Sequence, residues 1–219
     1  MSKKAAVATE EISLRNKIQA SYMDYILTHG KLPESVYGFC KQLGIAEAEF
    51  YNEFSSFHHI EESLWSDIFE NTLQRLHSDE QYAQYGAREK LLAFYYTWVE
   101  ALKAQRSYVI HSLKPRMTSK KPVYASFRES FVNYARQIVM DGQESGEIQN
   151  RPFLSEKYSD GLWLQLVFVL NFWAKDDSKN FEQTDAAIEK AVHLSFDLMG
   201  RNAIDSAIDL AKFLIQKKK

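Results

Sequence analysis

Interruptions are scarce in this chain. Its 219 residues hold 8 Gly and 4 Pro, well below average usage, and strand-and-turn folds need such residues at nearly every corner. Between the few breaks, apolar residues recur at three- and four-residue intervals, the period of one face of an α-helix. The fold class that follows is all-α. Hydrophobic residues make up 45% and charged residues 26%, which fits a globular chain and excludes disordered, collagen-like and simple coiled-coil readings. The single Cys, Cys40, excludes an internal disulfide framework and a multi-Cys zinc site.

The opening stretch MSKKAAVATEE carries two lysines with no apolar segment behind them, so no secretory signal is expected. The longest apolar run, Leu162 to Ala174, spans 13 residues and is interrupted by Gln165 and Asn171. A membrane-crossing helix needs about 20. The expectation is a cytoplasmic or at most peripheral protein without a transmembrane segment.

Ten helices are predicted. Thr9 caps the first, which carries Leu14, Ile18, Tyr22, Tyr25 and Ile26 and closes at His29-Gly30. A short second helix runs over Ser35 to Gln42, and a third over Ala46 to Asn52. Ser56 caps a long fourth helix striped by Ile60, Leu64, Ile68 and Leu76, which fades into the loop HSDEQYAQYG. Helices follow at about Ala87–Ala104, Arg106–Leu113, and Pro122–Glu144. Ser155 then begins an eighth, about 156–174, and a ninth covers about 182–199. A tenth amphipathic segment, 202–216, ends in three lysines. The expected division is a headpiece over 1–56 and a larger bundle over 57–219, with no linker at the seam.

Two short helices joined by Leu43-Gly44-Ile45 make a minimal helix-turn-helix. The longer string GIAEAEFYNEFSSFHHIEESLW is more specific. It resembles the recognition-helix region of the TetR family of bacterial repressors, with Gly44, Ile45, Phe50, Tyr51, Phe54 and Ser56 standing where that pattern places them. Ile18, Ala20, Gly30, Val36 and Phe39 suit the core of such a headpiece, and the resemblance covers about residues 10 to 200. It implies a homodimeric, ligand-responsive regulator of transcription that binds double-stranded DNA. The DNA-facing positions implied are Ala46, Glu47, Glu49, Tyr51 and Asn52, with Lys41 nearby. Tyr51 would reach a phosphate through its hydroxyl, or serve as a core-edge aromatic with a wet hydroxyl.

The chain departs from the family pattern in charge. Glu47 stands at the usual basic position, Glu49 at the usual Thr, and Phe57 at the usual Lys. Between Gly44 and Phe57 there are three Glu and no Lys or Arg, whereas affinity for DNA rests on neutralised phosphates. Two readings stay open. One is a working repressor whose cations come from Lys3, Lys4, Lys31 and Lys41. The other is a TetR-fold protein with a degenerate headpiece that binds a lipid-like ligand or a protein partner without touching DNA.

The bundle holds most of the 4 Trp, 12 Tyr and 14 Phe. Tyr95, Trp98, Phe127, Phe131, Tyr134, Trp163 and Phe168 are the candidate lining of a ligand pocket, and the same spacing also fits plain core. Few charges accompany them, so the ligand implied is small and apolar or aromatic. The helices at about 156–174 and 182–199 are the expected dimer interface. His58 and Glu62, four residues apart, could share a metal, but no third ligand can be named; no metal or cofactor is expected. Nucleophile elbow, P-loop and dinucleotide-binding glycine runs are all missing, so catalysis is not expected.

Overall fold

The structure, a computed structural model, describes residues 13–114, 121–151 and 154–200. Among these residues are nine α-helices and no strand. They are α1 (Leu14–His29), α2 (Val36–Leu43), α3 (Glu47–Glu53), α4 (Phe57–His77), α5 (Ala87–Ala104), α6 (Arg106–Ser112), α7 (Arg128–Ser145), α8 (Ser155–Lys175) and α9 (Glu182–Met199). The segment 202–216 and the residues Lys3, Lys4 and Thr9 lie outside the described residues.

Two boundaries differ from expectation, each for a local reason. Ser13 caps α1, its Oγ accepting from the Asn16 amide at 3.2 Å, so this helix begins at Leu14 and not behind Thr9. Val123–Phe127 winds as a 3-10 turn and α7 opens only at Arg128; Phe127 is fully buried, and its packing sets where the helix starts. Helix α8 begins at Ser155, as expected. The Ser155 Oγ accepts from the Arg151 amide at 2.8 Å and closes the preceding loop.

The chain divides into two compact units. One comprises the residues up to Leu64 together with Ser107–Val123; the other comprises Trp65–Arg106 and the residues from Tyr124. The division falls inside α4, eight residues later than the sequence boundary at 56/57, because Phe57, Ile60 and Leu64 pack into the first core. Tyr108 joins that core too.

In the first unit, Ile18, Tyr22, Phe39, Phe50, Phe54 and Ile60 are buried together. Truncating an aromatic at such a place costs ~3–5 kcal/mol. Ser35 caps α2 by accepting from the Gly38 amide at 3.1 Å. Gly44 ends α2 with φ 73°, a left-handed conformation that glycine adopts without strain. Two buried hydrogen bonds tie α1 to the head of α4: Tyr22 Oη donates to Glu61 Oε1 at 2.7 Å, and Gln19 Nε2 donates to Ser63 Oγ at 3.0 Å.

In the second unit, α7 packs on α8, α8 on α9, and α5 on both α7 and α9. The helix ends are closed by side chains from distant parts of the chain. Glu147 accepts from the amides of Ala87 and Arg88 at 2.8 and 3.2 Å, capping α5. Arg151 donates to the carbonyls of Met199 and Gly200, capping α9. Arg106 donates to the carbonyls of Trp173 and Asp176, both at 3.1 Å, while its guanidinium lies between the rings of Trp173 and Phe181. Loop 146–151 is thus held at both ends, and loop 176–181 at its start, by charge-assisted hydrogen bonds, about twice as strong as neutral ones.

Candidate functional site

The first candidate is the exposed side of α2 and α3. Phe50 and Phe54 point into the core, which leaves Glu47, Tyr51 and Asn52 on the outside of α3. Tyr51 is 53% exposed, its ring meeting Phe50 edge-on at 5.4 Å. Lys41 is exposed in the last turn of α2, and Ala46 is the exposed residue preceding α3.

Glu49 has a different task from the one its position suggests. Its Oε2 accepts from the Ala46 amide at 2.8 Å. Ala46 offers no side-chain acceptor, so Glu49 alone closes this helix start, and its charge also suits the positive end of the helix dipole. That leaves Glu47, Tyr51 and Asn52 as the exposed polar side chains of α3, with Glu53 half-buried. The acidic field also reaches inward: burial first, then the charges of Glu47 and Glu49, push the Cys40 thiol up.

Counting residues 13–60 gives four cations (Arg15, Lys17, Lys31, Lys41) against five anions (Asp24, Glu34, Glu47, Glu49, Glu53), net −1. Two of the cations have neighbours. Lys31 pairs with Glu34 at 3.2 Å on the surface, and Arg15 lies over the Phe54 ring at 4.7 Å.

The second candidate is the aromatic cluster of the bundle. Tyr95, Trp98, Phe127, Phe131 and Trp163 are all buried. Trp163 meets Phe127 at 5.5 Å and Phe131 at 5.8 Å between centroids. Three further residues complete the cluster: Phe94, 5.1 Å from Tyr134; Phe69, stacked on Phe127 at 5.2 Å; and Trp65, stacked on Phe127 at 6.2 Å. Phe94 stands four residues from Trp98, and Trp65 four from Phe69, spacings that are visible in the sequence; the direction of each face is not.

The hydroxyls of the cluster differ. Tyr134 Oη lies 2.8 Å from Tyr82 Oη, and burial pushes both phenols up. Tyr95 Oη and Trp98 Nε1 are completely buried and have no hydrogen-bond partner among the described residues.

Phe168 does not belong to this cluster. It is 51% exposed and packs on Phe172 at 6.1 Å. Its helix is apolar nearly all round, and Phe168 lies on the side turned away from the core. Leu164, on the same side one turn earlier, is 69% exposed, and on α9 Leu194 and Leu198 are 58% and 43% exposed. A separate open groove of about 530 Å³ lies between α7 and α8, lined by Arg136, Met140, Lys157 and Asp160 among others. None of the seven expected pocket residues lines it.

His58 sits 3.4 Å from Glu62 and 3.8 Å from Glu61. Among the described residues no group of three or more His, Cys, Asp or Glu side chains is arranged to hold a metal ion. No helix among them is long and apolar enough to cross a membrane.

Comparison with known proteins places this arrangement. Residues 90–214, more than half of the chain, match the family described as "Tetracyclin repressor-like, C-terminal domain". No curated protein matches the sequence. A solved structure from Syntrophomonas wolfei, assigned to the TetR-family transcriptional regulators, superposes with a TM-score of 0.66 at 16% identity, over 87% of this chain and 96% of that one. A TetR-assigned structure from Shewanella sp. PV-4 gives 0.60 at 14% identity, over 87% of this chain and all of the other. A protein of unknown function from Rhodococcus sp. RHA1 gives 0.58 at 14% identity, over 90% of this chain and all of that one. At these identities the solved structures speak to fold alone. With a helix-turn-helix before α4, an aromatic bundle after it, and a family match over most of that bundle, the chain belongs to the tetracycline-repressor-like (TetR) family.

Proposed function

We propose that this protein is a homodimeric, ligand-responsive transcriptional repressor acting in the cytoplasm. The observation that carries the proposal is the exposed face of α3, where Glu47, Tyr51 and Asn52 project while Phe50 and Phe54 anchor the helix from behind. In this reading α3 enters the major groove, and Asn52 and Glu47 meet base edges. Tyr51 and Lys41 meet phosphates, and Glu49 holds the start of the helix. A small apolar or aromatic ligand enters among Tyr95, Trp98, Phe127, Phe131, Tyr134 and Trp163. The outer faces of α8 and α9 pair with those of a second copy.

A selection from random duplex DNA at low salt tests the DNA-binding part. The expected outcome is enrichment of a palindrome with half-sites about 34–36 Å apart, bound with an affinity that falls steeply with salt. Tyr51→Ala is expected to weaken binding about tenfold across sequences, since a phosphate contact carries no base information. An intact dimer that enriches no sequence at low salt would defeat the reading.

One observation favours a second reading, a TetR-fold protein that binds its ligand or a protein partner without DNA. It is the run of three Glu with no Lys or Arg between Gly44 and Phe57. That reading expects no selected sequence at any salt concentration.

A further inference from the structure

The first turn of α3 carries Glu47, Ala48 and Glu49, all three exposed. Their side chains are not equivalent. Glu49 is engaged, since its Oε2 accepts from the Ala46 amide at 2.8 Å and the carboxylate is thereby held at the helix start. Glu47 makes no hydrogen bond and no ion pair among the described residues. Ala48 ends in a methyl group. These three side chains therefore present one unengaged acceptor, the Glu47 carboxylate, and no donor. No Lys or Arg stands between Gly44 and Phe57 to neutralise it or to compete with it.

The base edges of the major groove answer such an acceptor differently. Guanine presents N7 and O6 and thymine presents O4, all of them acceptors that repel a carboxylate. Adenine presents an N6 amino group beside the acceptor N7, so one carboxylate oxygen is attracted while the other is repelled. Cytosine presents its N4 amino group with no acceptor of its own beside it. Guanine is commonly read by Arg or Lys, and α3 has neither. A carboxylate that enters the groove also loses hydration, which only a donor restores. The penalty falls on every site that lacks the donor, so Glu47 acts mainly by rejecting wrong bases. Tyr51 stands four residues later, on the same side of the helix, where its hydroxyl anchors that side to a phosphate.

We infer that Glu47 is a specificity-determining residue that accepts a hydrogen bond from the N4 amino group of one cytosine in each half-site, while Glu49, held at the helix start, reads no base. The inference rests on the reading of α3 as the helix that enters the major groove, and adds the base that it selects there.

The test is selection from random duplex DNA by the full-length parent, by Glu47→Gln and by Glu49→Gln, followed by affinity measurements on the parent's best site with each base varied in turn. The parent is expected to show a cytosine column in each half-site, where any other base weakens binding at least about tenfold. In Glu47→Gln that column is expected to change to adenine, the base that a carboxamide pairs with through N6 and N7, and the other columns to stay. Binding of Glu47→Gln to unselected DNA is expected to tighten about threefold, because a negative charge near the phosphates is gone. Glu49→Gln is expected to keep every column. A parent site without a cytosine column, columns that all survive Glu47→Gln, or a base preference changed by Glu49→Gln would each overturn the inference and leave the repressor reading standing. Enrichment of no sequence by the parent would overturn both.

Discussion

Single residues in this protein act mostly on helix ends. Asp176 is the clearest case. Its carboxylate accepts from the Thr184 amide at 2.8 Å, the Thr184 hydroxyl at 2.6 Å and the Ser178 amide at 2.9 Å, anchoring the start of α9. Burial works against its ionisation, but these hydrogen bonds outweigh burial and hold the carboxyl at about 2. An unfolded Asp titrates near 3.9. The folded value is the lower one, so this stabilisation is complete above about pH 4 and is lost as pH falls toward 2. Asp176→Asn is therefore expected to cost ~2 kcal/mol at neutral pH. Denaturant midpoints of parent and variant should converge between about pH 4 and 2, and a gap that stays constant would refute the assignment. Asp185, raised by burial and by Glu100 and Glu189, pulls the other way, which is why the comparison is made against the variant. Cys40 supplies a second residue-scale prediction. Its thiol is buried and pushed up by burial and by Glu47 and Glu49, so in the native protein it should react with a thiol reagent at least about tenfold more slowly than in denaturant. Equal rates would show that α2 and α3 open freely.

At the scale of elements, the loop from Gly146 to Arg151 determines how three helices end. Glu147 caps α5, Arg151 caps α9, and Ile148 lies so close to Gly142 that a Cβ added there would fall 2.7 Å from Ile148 Cδ1 and 3.0 Å from Ala87 Cβ. Gly142→Ala gains helix propensity on α7, yet overpacking of about 1–3 kcal/mol exceeds that gain. The expected result is a net loss in thermal stability that Ile148→Val partly restores. A variant at least as stable as the parent would show that the contact yields easily. These elements also show which parts of the fold can be read in a sequence. Helices α2 and α3 were legible because Ser35 and Gly44 signal their ends through local hydrogen bonds and backbone conformation. The 3-10 turn at Val123–Phe127 was not, since a buried ring sets it and no capping residue announces it. Glu49 stands at the third position of α3, where a carboxylate commonly reaches back to the helix start, while the family pattern implies a DNA-facing side chain there. The side on which Phe168 lies is not legible, because LWLQLVFVLNFW is apolar on nearly every side. Such a helix can face a core, a partner or both, and only packing tells which.

For the whole molecule the telling feature is what the second unit leaves uncovered. Leu164 and Phe168 on α8, and Leu194 and Leu198 on α9, are all at least 43% exposed. The two helices pack together and Ser195 Oγ donates to Gln165 Oε1 between them, so the four side chains belong to one two-helix layer. Soluble monomers seldom leave contiguous apolar patches of more than a few hundred Å². A two-fold axis over this layer would pair it with itself, because an isologous interface uses the same patch twice. Gly161, exposed on α8 with nothing near the Cβ it lacks, would let backbones approach closely. Leu164→Glu together with Leu194→Glu places two carboxylates per subunit against their own images, where like charges in a desolvated contact cost several kcal/mol. Sedimentation at micromolar concentration is expected to show a dimer for the parent and a monomer for the double variant, both fully helical by circular dichroism because neither residue lies in the core. If the parent binds an operator, the variant should lose most of that affinity, since two half-sites would no longer be held by one particle. A parent that sediments as a monomer, or a variant that remains dimeric, would move the interface elsewhere.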